Sequence, residues 1–196
     1  MTYAINEIFT SIQGEGGHSG VPSIFVRFAG CNRKCSFCDT PDETNMELEE
    51  EKLLDVIQNY FDESYVENVV FTGGEPMLQP IEPLILALDA MGVICHIETN
   101  GTIEVPSNIY LRSYVTVSPK EIDFVQRTGY QLKLIYTGEP VDLKYYFEET
   151  NFVRYFLQPE WSGGSELARK AVEVVMEDQT GAWRFGAQIH KLIGVK

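Results

Sequence analysis

Twenty-nine acidic and 15 basic residues give this 196-residue chain a net charge of −14, which would repel a polyphosphate backbone and disfavours direct nucleic-acid binding. Its 44% hydrophobic content supports one packed domain, 1–196, with a sizeable core. No apolar run approaches the roughly 18 residues that span a bilayer, and Met1 to Asn6 lacks the basic and apolar regions of a signal peptide, so a cytoplasmic protein with no membrane partner is expected.

Thr2 to Phe9 has the aliphatic and aromatic character of a first, peripheral strand. Thr10 to Gly20 is a glycine-dense loop, and glycine permits positive φ and close backbone approach to a ligand. On composition alone it is a flexible connection. Ser23 to Phe28 is an apolar strand carrying Arg27, and it delivers Cys31, Cys35 and Cys38 into one loop. Glu47 to Phe61 repeats apolar residues at Leu53, Val56, Ile57, Tyr60 and Phe61. Acids crowd its first turn, which predicts an amphipathic helix.

Asn68 to Phe71 is a strand ending in Thr72-Gly73-Gly74-Glu75-Pro76. A second helix follows, with Leu84, Ile85, Leu88 and Met91 as its buried stripe and Gly92 as its stop. Further strands run over Val93–Ile97, Tyr114–Val117, Tyr130–Tyr136 with Lys133, and Phe152–Leu157. The first ends in Glu98-Thr99-Asn100-Gly101, the second in Ser118-Pro119-Lys120 and the last in Gln158-Pro159. Ser165 caps a helix through Met176, with Leu167, Ala171, Val174 and Val175 inward, and Trp183 to Ile189 is the final strand. The connections 100–113 and 119–129 are too short or irregular for helices.

Alternating strands and helices predict an α/β fold with a parallel sheet, trimmed to a partial, incomplete β/α barrel. Five polar motifs follow strand C-termini, the face where active sites of such barrels sit.

Three thiols at CX3CX2C spacing can hold three irons of a [4Fe-4S] cluster and leave the fourth open. A structural zinc site needs four ligands, and neither paired CXXC units nor histidine partners accompany these cysteines. Cys95 lies in an apolar strand and reads as core. Arg27 in its apolar strand is costly unless paired, either with a ligand carboxylate or with one of the acids as a structural ion pair.

CX3CX2C with Phe37 before the last cysteine resembles the cluster motif of radical S-adenosylmethionine (SAM) enzymes. Gln13-Gly14-Glu15-Gly16, Arg27 ahead of Gly30-Cys31, Cys38-Asp39-Thr40 and the His190-Lys191 ending resemble more narrowly the 7-carboxy-7-deazaguanine synthases. That resemblance implies a radical SAM barrel with reduced helices. It also implies a lyase that converts 6-carboxy-5,6,7,8-tetrahydropterin to 7-carboxy-7-deazaguanine with loss of ammonia, for queuosine-type synthesis. The cluster and SAM would generate a 5′-deoxyadenosyl radical that takes hydrogen from substrate.

Carried onto this chain, the resemblance puts the cluster on Cys31, Cys35 and Cys38, and magnesium on Thr40 in a substrate-dependent site. Asp39 beside it would either orient that metal shell or cap the loop. SAM would meet Gly73, Gly74 and Glu75, then Ser118 and Lys120, with Glu98, Asn100 and Gln158 on the cofactor side and Phe37 near the adenine. Arg27 would take the substrate carboxylate. Ile12, Gln13, Gly14, Glu15 and Thr72 would read the pterin ring, with Gln188 and His190 facing the pocket. His190 otherwise reads as a satisfied core or surface histidine. A flavodoxin- or ferredoxin-type electron donor would dock on a local patch such as Arg33-Lys34, and open sheet edges make a homodimer reasonable. The rival readings are an activase that abstracts hydrogen from a glycine of a partner protein, and a non-enzymatic iron–sulfur carrier.

Overall fold

A computed structural model of the chain describes residues 1–40, 43–64 and 66–196. Its strands are β1 (Thr2–Ile12), β2 (Pro22–Phe28), β3 (Met46–Glu49), β4 (Asn68–Gly73), β5 (Ile94–Thr99), β6 (Ser113–Val117), β7 (Thr128–Tyr136), β8 (Asn151–Pro159) and β9 (Trp183–Phe185). They form one sheet in the order β3-β1-β2-β4-β5-β6-β7-β8-β9. From β2 to β9 every neighbouring pair is parallel, which makes the partial barrel.

The β3–β1–β2 edge departs from the parallel expectation. β1 runs antiparallel to both neighbours. The physical reason is the connection: a loop closed by Gln13 N to Val21 O and Gly20 N to Gln13 O, both 2.7 Å, returns the chain directly, and a direct return can only be antiparallel. β1 also extends to Ile12, into the segment predicted as loop.

The helices are α1 (Glu50–Glu63), α2 (Glu82–Ala90), α3 (Ser107–Tyr110), α4 (Leu143–Glu148), α5 (Gly164–Glu177) and α6 (Ile189–Ile193). Leu53 and Ile57 of α1, and Leu84, Ile85 and Leu88 of α2, are fully or almost fully buried. Each such side chain contributes about 1.5–3 kcal/mol on leaving water, which holds these two crossovers against the sheet. The crossover between β6 and β7 has no helix, and α3 and α4 are one or two turns long.

Several predicted boundaries move. The helix expected from Glu47 begins at Glu50, because Met46–Glu49 pairs with β1 as β3. Met91 is the C-cap of α2 and is 54% exposed, outside the buried stripe, since Gly92 at φ +80 ends the helix there. Gly163, not Ser165, precedes the first turn of α5. α3 falls in a connection read as irregular. α4 was not anticipated; Asp142 caps it by accepting from Tyr145 N at 2.9 Å.

The predicted last strand also changes. β9 ends at Phe185, Gly186 N closes the pairing on Leu157 O, and Ile189 opens α6 by donating to Gly14 O at 2.9 Å. Contact with the β1–β2 loop thus turns the chain across the barrel mouth.

Candidate active site

At the C-terminal ends of the parallel strands lies a cavity of about 780 Å³. Alternation along β2 explains one wall. Ile24, Val26 and Phe28 are fully buried on one face, so Phe25 and Arg27 point the other way, into the cavity.

The cysteine loop forms a second wall. Cys31 and Cys35 are half-buried and Cys38 is exposed; all three thiols are free and line the cavity. Cys38 N donates to Cys35 O at 3.2 Å, and Cys31 Sγ accepts from Arg33 N at 3.4 Å and Asn100 Nδ2 at 4.0 Å. Burial pushes the Cys35 thiol up, Lys120 opposes this, and Cys38 and Cys31 add to it. Cys95 is fully buried on β5, its thiol pushed up to about 12 by burial, so it supplies no fourth ligand. Among the described residues no group of three His, Cys, Asp or Glu closes on one point as a mononuclear metal site does. Three accessible thiols in one loop, two donors on one sulfur and no fourth cysteine lining the cavity fit a [4Fe-4S] cluster with one iron open.

The turn after β4 grips the root of this loop. Gly74 N donates to Phe28 O at 3.0 Å and Glu75 N to Gly30 O at 2.9 Å. A Cβ on Gly74 would lie 1.9 Å from Gly30 O, so only glycine admits the approach. Glu75 is placed differently from the expectation. It is fully buried and does not line the cavity; its carboxylate accepts from Met77 N at 3.0 Å, Thr99 Oγ1 at 2.7 Å and Asn100 N at 2.6 Å. Internal donors occupy the carboxylate expected to meet SAM, so it latches the β4 turn to the β5 turn. Burial raises its pKa despite those donors.

The third wall is charged. Lys133 of β7 binds Glu15 and, at 3.2 Å, Glu98. Glu15 Oε1 accepts from Gln188 Nε2 at 2.8 Å and Glu98 Oε1 from Gln13 Nε2 at 3.3 Å. Burial works to raise the Glu15 carboxyl, but Lys133 and Gln188 outweigh it and hold the group at about 2. Glu98 is raised by burial, with Lys133 opposing. Burial would lower Lys133, but the two carboxylates raise it.

Ile12, Gly14, Thr72, Gly73, Asn100 and Gln158 also line the cavity, as does His190, whose pKa burial lowers. A Cβ on Gly14 would meet His190 Nδ1 at 1.9 Å, so this glycine lets α6 close over the loop. Ser118 Oγ accepts from Lys120 Nζ at 2.9 Å, and that ammonium lies 5.8 Å from the centre of the Phe37 ring. Gln158 is 2% exposed and its Oε1 has no partner among the described residues.

Arg27 Nε pairs with Glu7 at 2.9 Å, and its Nη1 donates to Thr40 Oγ1 at 3.1 Å. The structural ion pair foreseen for Arg27 is therefore present, on a residue that also lines the cavity. Asp39 pairs with Lys191 of α6. Arg33 is engaged by Glu121 at 2.6 Å and Asp123 at 3.2 Å, which removes it from the free basic patch and leaves Lys34 exposed.

Sequence reasoning passed over several lining residues. Lys133 appeared only as a strand residue, although a lysine in an apolar run is the same signal that singled out Arg27. Glu7 and Phe9 alternate toward the cavity on β1, but their strand looked peripheral. Glu160 and Trp161 carried no motif.

Residues 25–123 match the Radical SAM superfamily. The chain is 37% identical to the 7-carboxy-7-deazaguanine synthase of Bacteroides thetaiotaomicron over 197 residues, with all of both chains covered. It is likewise 37% identical to that of Bradyrhizobium diazoefficiens over 218 residues, again with both covered in full. The crystal structure of QueE from Escherichia coli superposes with a TM-score of 0.76 at 29% identity, covering 97% of this chain and 95% of that one.

Proposed function

Because this chain belongs to the 7-carboxy-7-deazaguanine synthases of the radical SAM superfamily, we propose that its cavity holds cofactor and substrate between the cysteine wall and the charged wall. The protein is a radical SAM lyase of deazapurine synthesis that forms 7-carboxy-7-deazaguanine from 6-carboxy-5,6,7,8-tetrahydropterin, and its cofactors are a [4Fe-4S] cluster and SAM. Full-length relatedness to these synthases displaces the activase and the iron–sulfur carrier. The observation that carries the site reading is the shared cavity: three thiols without a fourth face the same space as Arg27 and the Glu15–Lys133–Glu98 group.

When bound, the cluster and SAM supply one-electron reduction and hydrogen-atom abstraction. The chain's share is binding and orientation. Cys31, Cys35 and Cys38 hold the cluster. Gly73 and Gly74 bring bare backbone to the cofactor, and Ser118 and Lys120 offer hydroxyl and ammonium donors to its carboxylate or ribose. Asn100 and the unpartnered Oε1 of Gln158 supply polar groups, and Phe37 an apolar face. Arg27 takes the substrate carboxylate on a guanidinium already held in place by Glu7. Ile12, Gln13, Gly14, Glu15, Thr72, Gln188 and His190 surround the ring, and Glu98, expected on the cofactor side, stands instead with Glu15 through their common lysine.

Thr40 is the proposed magnesium contact. One hydroxyl beside the Arg27 cation is too weak a site by itself, so the metal would keep waters and take substrate oxygens. We further propose one domain over 1–196, a cytoplasmic setting that keeps the thiols reduced, a flavodoxin- or ferredoxin-type donor approaching the exposed Cys38 and Lys34, and a homodimer that covers a sheet edge.

The test is anaerobic turnover of the reconstituted protein with reductant, SAM, magnesium and 6-carboxytetrahydropterin, products read by mass. 7-Carboxy-7-deazaguanine should form and should vanish in Cys31→Ala. SAM cleavage without that product would overturn the substrate assignment.

A further inference from the structure

Lys133 projects from β7 into the cavity and is 7% exposed. It joins two acids that are far apart in the chain: Glu15 from the β1–β2 loop and Glu98 near the end of β5. Amide donors from Gln188 and Gln13 take the second oxygen of each. Gln158 also bonds Glu15 and Thr116 also bonds Glu98, so each carboxylate takes three protein partners and, with about four acceptor sites in all, keeps accepting capacity toward the cavity.

Two carboxylates this close in a cavity wall share a proton unless a cation relieves their repulsion. Sharing matters, because a protonated carboxyl presents an O–H donor. A reduced pterin offers N–H groups along its edge, and a donor facing a donor loses the bond and leaves both groups desolvated.

We propose that Lys133 is a positioning residue of this reaction: its ammonium holds Glu15 and Glu98 together as a doubly ionised, acceptor-only edge for the N–H groups of the reduced pterin ring. The inference rests on the reading of the cavity as the pterin site. Glu98 is the member nearer to protonation, because burial raises it, whereas Glu15 is held well down. Glu98 therefore sets the acid limb of binding. Other titratable groups around the three are Lys120 after β6, His190 and Lys191 of α6, and Asp39 of the cysteine loop.

The experiment is equilibrium binding of 6-carboxytetrahydropterin to cluster-loaded enzyme with SAM and magnesium but no reductant, across about pH 5 to 9. Lys133→Met should weaken binding about tenfold near neutral pH and move the acid limb up by about one pH unit or more, so that affinity recovers as pH rises. Wild-type affinity with an unmoved limb would overturn the proposal. So would a uniform loss with the limb in place, which is what a mere brace produces. If Lys133→Met fails to fold, Glu98→Gln keeps the Lys133–Glu15 pair and should abolish the limb. A limb that survives in Glu98→Gln belongs to another group, such as His190, and overturns the proposal. Wild-type enzyme that neither binds nor turns over the pterin would instead defeat the site reading itself.

Discussion

Arg27 shows how one side chain can satisfy two readings at once. Its pairing with Glu7 compensates a guanidinium that is only partly exposed, and the same geometry aims it into the cavity. Arg27→Ala should lower turnover by about two orders of magnitude or more through lost substrate positioning, while uncoupled SAM cleavage persists. Arg27→Lys should rescue little, because a point charge does not reproduce the planar fork. Steady-state assays of both products separate these outcomes. Glu15 gives a prediction in stability. Its folded pKa of about 2 lies below the ordinary 4.5, so its contribution is present above 4.5 and lost as pH falls toward 2. Lys133 has the opposite sign: its raised pKa gives stability that is full below 10.5 and lost as pH rises further. Glu98, also raised, loses its contribution as pH rises, so it partly offsets Glu15. Thermal melts of Glu15→Gln between pH 4.5 and 2 should therefore fall less steeply with acid than those of the wild type.

At the scale of elements, the site is assembled by contacts between loops that follow different strands. The β4 turn touches the cysteine loop where a Cβ on Gly74 would meet a carbonyl, and Glu75 ties that turn to Thr99 and Asn100 after β5. Gly74→Ala cannot be absorbed by a rotamer change, since the obstacle is backbone. It should cost roughly 1–3 kcal/mol by the usual penalty of overpacking, read by chemical denaturation. It should also impair cluster retention, read as iron bound per chain. α6 depends on the same kind of contact, with Gly14 leaving room for His190 and Asp39 pairing with Lys191. These approaches left weak traces in the chain. Gly-Gly-Glu-Pro reads as a turn without the cysteines beside it, and Gly14 as one glycine of many. The apolar character of Trp183 to Ile189 predicts one strand to Ile189; β9 instead stops at Phe185, and Ile189 opens α6 on its contact with Gly14.

At the scale of the molecule, a net charge of −14 surrounds a cavity whose basic groups, apart from the exposed Lys34, are inward or paired. Electrophoretic mobility of tRNA at physiological salt should be unchanged by the protein, so that any link to tRNA passes through the small-molecule product. A shift that weakens steeply with salt would reveal a phosphate-binding surface. No helix among the described residues is long and apolar enough to cross a membrane.

Much of this protein was legible along the chain because its chemistry is local. Three cysteines within eight positions need no fold to be recognised as ligands, and period-two burial marks the strands that carry the polar motifs to one face. Tertiary structure decided what depends on residues far apart: that β1 turns back antiparallel, that Glu75 is spent on an internal latch, and that Lys133 stands between Glu15 and Glu98. Glu15 and Lys133 are 118 positions apart. No local propensity encodes such a meeting; it exists only once the sheet has curled and brought its strand ends around one cavity.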